Sequence, residues 1–127
     1  MAHVKIYGRR DVWASRRTEV SDAVHAALVG AWALPEHKRF HRFLLLDPED
    51  LIAPRSPAYL VVEIVCFAGR SRAARRALVR AFFDDVAPTL GLDPNDLELV
   101  ILESPAENWG IRGVAGDELE LDYRVDV

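Results

Sequence analysis

The sequence predicts an α+β domain made of a duplicated β-α-β unit, with both helices on one face of a four-stranded sheet. Two passes of one pattern carry this: a short β-prone run, a segment with helical apolar spacing, then a second apolar run. A glycine-arginine pair follows the first strand of each pass, as Gly8-Arg9 and Gly69-Arg70, and a stretch holding Pro48, Pro54 and Pro57 separates the passes. The units span 2–53 and 58–104, and 105–127 is expected to add a C-terminal hairpin or strand, all within one domain, 1–127.

Val4 to Tyr7 reads as the first strand, stopped at Gly8. From Ser15 the chain places Val20, Val24, Ala27, Leu28, Ala31 and Trp32 on one helical stripe. Proline disfavours helical geometry in the residue before it, so Leu34-Pro35 ends that helix, and Phe43 to Leu46 forms the second strand. In the second pass Tyr59 to Phe67 is a strand. Ser71 then caps a helix carrying Ala74, Leu78, Ala81, Phe82, Asp85 and Leu90, and Leu97 to Leu102 closes the unit. A helical crossover makes each strand pair parallel, and its right-handedness puts both helices on the same side. The strand from Tyr59 is apolar on both faces apart from Glu63, which argues that the side without helices is covered by another subunit, with Glu63 facing an arginine or the seam. Leu119, Leu121, Tyr123 and Val125 alternate with charged residues, the pattern of a strand with one covered face that a neighbouring subunit could pair.

A chain of 127 residues, half of them hydrophobic, suits one core. A net charge of −4 with mixed signs gives no field toward nucleic acid, and no run is long enough to span a membrane, so neither partner is expected and the location is taken as cytoplasmic. Cys66 lies in an apolar run and reads as a small buried hydrophobe, and His25, on the apolar side of the first helix, reads as a core or contact residue. His3, His25, His37 and His41 lack acids at ligand spacing, so neither metal nor cofactor is expected.

Four stretches carry a resemblance. The chain begins Ala2-His3-Val4-Lys5-Ile6 directly after the initiator methionine; Leu34-Pro35-Glu36-His37-Lys38-Arg39-Phe40-His41 forms a proline turn with an arginine-aromatic pair; Gly69-Arg70-Ser71 leads into Arg75-Arg76-Ala77-Leu78; and Glu103-Ser104-Pro105-Ala106-Glu107-Asn108-Trp109-Gly110 ends on an Asn-Trp turn. Together they resemble the tautomerase superfamily, on the side of malonate semialdehyde decarboxylase. The resemblance implies a homotrimer of double β-α-β subunits acting on a small carboxylate-bearing substrate. It implies a catalytic N-terminal amine at position 2, a carboxylate clamp at Arg70, and a pocket wall at Trp109, with Arg39 in the turn after the first helix. Arg70 at a helix start is suited to gripping an anion, and the same residue also reads as an exposed arginine beside a cap. Trp109 reads equally as a packed edge tryptophan, and Arg39 as half of a structural ion pair.

The chain departs from that family at three points. Ala2 stands where the family has proline, giving a primary amine with a reference pKa of about 7.7–8.0, still able to act as a base or form an imine; this needs Met1 removed. Lys38 replaces an aspartate that assists decarboxylation, which disfavours that reaction. Trp109-Gly110-Ile111-Arg112 replaces Trp-Ser-Phe-Gly, and with Ala68 in place of a second arginine, Arg112 or Lys38 would have to assist Arg70. The resulting expectation is a tautomerase-like enzyme for a small 2-oxo or enol carboxylate, against a catalytically inactive relative serving as a binding protein or as partner subunit of a mixed oligomer.

Overall fold

The computed structural model describes residues 2–127. The first strand, β1 (Ala2–Arg9), runs directly into a short helix, α1 (Arg10–Trp13), and then the long α2 (Arg17–Trp32). Next come β2 (His41–Leu46), β3 (Leu60–Phe67) and α3 (Arg72–Ala81), which continues through a π turn (Phe82–Val86) into α4 (Ala87–Leu90). After β4 (Leu97–Ser104) the chain makes a hairpin of β5 (Gly110–Ile111) and β6 (Val114–Ala115).

The sheet order is β2-β1-β3-β4: β1 and β2 are parallel, β3 and β4 are parallel, and β1 and β3 meet antiparallel at the centre. That is the duplicated β-α-β architecture the sequence predicts. Strand periodicity sends Val4, Ile6, Leu60, Val62, Ile64 and Leu97 to the helix side, where they bury against Val20, Val24, Leu28, Leu78, Phe82 and Val86. Each such side chain contributes roughly 1.5–3 kcal/mol of transfer free energy. The π turn has a local cause. Pro88 has no N–H to offer the Asp84 carbonyl and its ring crowds that turn, so the helix widens just before it, with the Ala87 N–H reaching back to Phe82.

The other face carries no helix. It presents His3, Lys5, Tyr7, Val61, Glu63 and Val65, with Val100 41% and Leu102 45% exposed. On it, the Tyr7 hydroxyl donates to Glu63 Oε1 at 3.0 Å, which gives the one carboxylate of β3 a partner within the chain.

Two expectations change. Gly8 and Gly69 are not equivalent: Gly8 sits inside β1 opposite Leu60, where a Cβ would stand 2.7 Å from Trp13 Cδ1, whereas Gly69 lies past the end of β3 with φ +135°. At Gly8 glycine makes room for a buried tryptophan, and at Gly69 it supplies a backbone shape closed to other residues. Past the first of these turns, Arg9 clamps the Asp11 carboxylate with Nε and Nη2 at 2.9 and 2.5 Å. The second change concerns the C-terminus. The hairpin forms at 110–115, its two-residue turn made by Arg112 and Gly113 at φ 52° and 85°, but 119–127 joins no strand among the described residues. Within it Tyr123 packs against the core and Val125 lies beside Gly69.

His41, at the start of β2, has Nδ1 2.8 Å from Ser21 Oγ and its ring 5.8 Å from that of His25. Burial above all, then His25 and Arg39, pushes its pKa from 6.5 down to about 4. The folded chain therefore holds His41 neutral while the unfolded chain takes up a proton below about 6.5, so stability present at neutral pH is lost as pH falls from 6.5 toward 4. Urea unfolding across that window should show the decline, and His41→Gln should flatten it by on the order of 2 kcal/mol, allowing for partial exposure. An unchanged slope in the variant would assign the decline to other groups.

Candidate functional site

Antiparallel pairing of β1 with β3 places the start of one strand beside the end of the other, and Ala2 is the register partner of Cys66. Both side chains point to the helix side and are buried. Three residues beyond Cys66, Gly69 turns the chain and Ser71 begins α3 as its N-cap, Oγ accepting the Ala74 N–H at 3.1 Å. Arg70 is held between them. Its carbonyl accepts a 2.6 Å hydrogen bond from Arg75 Nη1, and Arg75 also pairs with Glu103 at 3.2 Å, so the backbone is pinned.

The Arg70 side chain turns inward and is 3% exposed. Its guanidinium lies 4.1 Å over the ring of Trp32, whose indole N–H donates to the Ala74 carbonyl at 2.9 Å and so ties the end of α2 to the first turn of α3. Nη1 donates to the Phe67 carbonyl at 3.4 Å, and Nε and Nη2 have no hydrogen-bond partner. Those two nitrogens form the edge of a guanidinium that grips a carboxylate with two parallel bonds. The Cys66 thiol beside them is only a weak acceptor. Burial pulls the pKa of Arg70 down, with Cys66, Tyr123 and Glu103 drawing it partly back; arginine nonetheless stays charged in proteins. Burial likewise pushes the Cys66 thiol up, which fits the inert packing role the sequence assigns it.

A guanidinium taken from water costs several kcal/mol, whereas stacking on one indole returns about 2. The imbalance leaves a fixed cation with two nitrogens free to donate. In shape it is suited to a carboxylate.

The other candidates fall elsewhere. Trp109 packs edge-on against Phe67 at 5.1 Å and His3 at 5.2 Å, and His3 in turn meets Phe40 at 5.5 Å. This aromatic row lies on the sheet face away from the helices, so the sheet separates Trp109 from the Arg70 guanidinium. Beside it His3, Lys5 and Arg42 line a cavity of about 300 Å³. Arg39 forms an ion pair with Asp22 at 2.6 Å and donates to Ser21 Oγ at 3.3 Å, the structural role the sequence also allowed. Lys38 is half-buried in the turn after α2, where its N–H donates to the Pro35 carbonyl. Arg112 is exposed at the hairpin tip; burial raises the phenol pKa of Tyr123, and Arg70 and then Arg112 draw it partly back. His25 is a core residue, Nε2 2.8 Å from the Glu36 carbonyl. Met1, whose removal the Ala2 amine needs, lies outside the described residues. Trp32, Cys66 and Tyr123 surround Arg70 without having been singled out for it. Their apolar spacing was legible, but nothing in a spacing says which buried neighbour will be a cation.

A four-stranded sheet backed by two helices, with a buried and partly unpaired arginine where the start of β1 meets the end of β3, defines the class. The family model for tautomerase enzymes matches residues 38–112, more than half of the chain, and the chain belongs to that family. The match spans Lys38, Arg39, Arg70, Trp109 and Arg112 and leaves Ala2 outside it. A protein of Ralstonia nicotianae named as a probable tautomerase is 30% identical over 54 residues, which is 42% of this chain and 77% of that one. Among solved structures, the malonate semialdehyde decarboxylase FG41 inhibited by 3-bromopropiolate superposes with a TM-score of 0.80 at 27% identity, over 94% of this chain and 98% of that one. Native fused 4-OT reaches 0.83 at 18% identity, over 92% and 98%, a likeness of fold alone.

If Arg70 is kept for a ligand and not for stability, Arg70→Met should fold with a melting temperature equal to or above that of the unaltered chain, since an apolar replacement of an unpaired buried charge is neutral or stabilising by about 1–4 kcal/mol. A loss of more than about 2 kcal/mol would make Arg70 a structural residue.

Proposed function

We propose that this chain is a tautomerase for a small 2-oxo or enol carboxylate, with Arg70 as the clamp for the substrate carboxylate and the Ala2 amine as the group that moves the proton. The observation that carries the reading is the buried Arg70 guanidinium with Nε and Nη2 unpaired. Once Met1 is removed, the amine of Ala2 stands at the start of β1, beside the strand that delivers Arg70. Burial and a nearby cation both favour the neutral form of an amine, which leaves a free base near neutral pH. In the enolising direction the amine takes a proton from the carbon next to the 2-oxo group, and the new ammonium returns it in ketonisation; no bond to the carboxylate changes. Lys38, in the turn after α2, supplies no carboxylate for decarboxylation.

A second reading, a silent relative that binds the same anion or partners a proline-bearing subunit, draws on Ala2 alone, because a primary amine lacks the fixed ring geometry of proline. The two readings separate on one sample. Intact mass should show Met1 absent, and ketonisation of phenylpyruvate enol, followed by ultraviolet absorbance, should run above buffer and fall by on the order of a hundredfold in Arg70→Met. Retained Met1, or no turnover, leaves the silent reading.

Assembly belongs to the same proposal. The helix-free face, with Val100 and Leu102 exposed, fits burial in a homotrimer, and among the structural relatives a fused 4-OT at 19% identity is described as an asymmetric trimer. Light scattering should return three times the 14.3 kDa chain mass, and Leu102→Glu should shift the protein toward smaller species. A monomeric unaltered chain would overturn the trimer.

A further inference from the structure

An anion site that is 3% exposed cannot be entered without movement, so the residues covering Arg70 decide its use. They belong to the segment after the hairpin. Tyr123 packs half-buried against the core, and its phenol and the guanidinium perturb each other's titration, along with Arg112, Asp122 and Cys66. Val125 Cγ1 lies 3.5 Å from where a Cβ on Gly69 would stand, so the bare backbone of Gly69 is the bed for that side chain. The Val127 carbonyl accepts the Ser71 N–H at 3.1 Å.

That last contact is chemically pointed. Ser71 opens α3, and its N–H is one of the unsatisfied donors a helix start offers to an anion. An oxygen of the chain's own backbone holds the donor that a bound carboxylate oxygen would take, while Tyr123 stands near the guanidinium that would take the rest.

The segment is held lightly. No helix or strand is described after Glu118, Asp122 reaches only His37 at 3.6 Å in an exposed pair, and Arg124 pairs with Asp126 inside the segment itself. Exposed ion pairs contribute little, and half-buried side chains on a stretch outside any helix or strand describe a unit that opens locally.

We propose that residues 119–127 are a strap that closes the Arg70 site, with Tyr123 as its plug, and that a carboxylate reaches Nε and Nη2 only when the strap lifts. This rests on the reading of Arg70 as a carboxylate clamp and adds the gate to it. Lifting the strap frees the guanidinium edge and the Ser71 N–H together, so both sets of donors become available in one step.

Arginine labelling tests it on the intact, purified protein, with phenylglyoxal as the reagent and peptide mass spectrometry as the readout. Arg70 should label slowly in the unaltered chain and on the order of tenfold faster in the Tyr123→Ala/Val125→Ala double variant, with Arg55 unchanged as an internal reference. Equal Arg70 rates would overturn the strap. Malonate should protect Arg70 in the double variant; if the acceleration is seen without protection, the gate stands and the carboxylate reading falls. Hydrogen exchange on the unaltered chain covers the case of a variant that folds poorly. The Ser71 amide should exchange by a local opening, faster than the β1 and β3 ladder amides, and exchange only through global unfolding would make the segment a fixed part of the fold and overturn the proposal.

Discussion

The antiparallel pairing of β1 with β3 is the constraint on which the site depends. Each β-α-β unit by itself makes only a parallel pair, and it is the central antiparallel contact that brings Ala2 opposite Cys66 and so beside the turn carrying Arg70. The same pairing aligns both helices on one side, where Trp32 at the end of α2 can reach under the start of α3 and receive the guanidinium. A slip of one residue would turn Cys66 and Ala2 to the bare face and separate the amine from the cation.

Energetically the site runs against the rest of the molecule. Around it, apolar side chains from all four strands and from the helices on one face are buried with their polar backbone engaged in ladders and helices. Arg70 is buried with half its donors idle. Such local deficits are carried by a well-packed scaffold and tend to mark places where binding, not folding, decided the residue. The pinned carbonyl of Arg70, the capped Ser71 and the indole beneath the guanidinium all hold the cation in position ahead of any ligand, which keeps the entropy lost on binding low.

Much of the fold was legible because it rests on periodicity. The four strands, both long helices, the Ser71 cap and the proline breaks follow from spacing and from local backbone chemistry, and the structure extends the strands by only a residue or two at their ends. The candidate site was legible in part. Arg70 stood out by its place at a helix start, but the sequence could not say that its side chain turns inward; that depends on Trp32, forty residues away in the chain, being delivered to the same spot. Trp109 shows the converse. Its motif is clear, yet strand alternation puts its neighbours Phe67 and His3 on the face opposite Cys66 and Ala2, and alternation is fixed only once the pairing register is known. The tail was legible in part for a third reason: apolar alternation shows that one side is covered and is silent on whether a strand, a neighbour or the chain's own turn covers it.

The chain carries two glycine-arginine pairs, at different points relative to their strands, yet it does not leave both guanidiniums open. Arg9, just before α1 at the far end, shows why it does not: its Nε and Nη2, the very edge left idle on Arg70, are already filled by the carboxylate of Asp11. One half of the duplication has satisfied its arginine internally and become scaffold, while the other has kept its arginine hungry. Of these two guanidinium edges each chain therefore leaves one open.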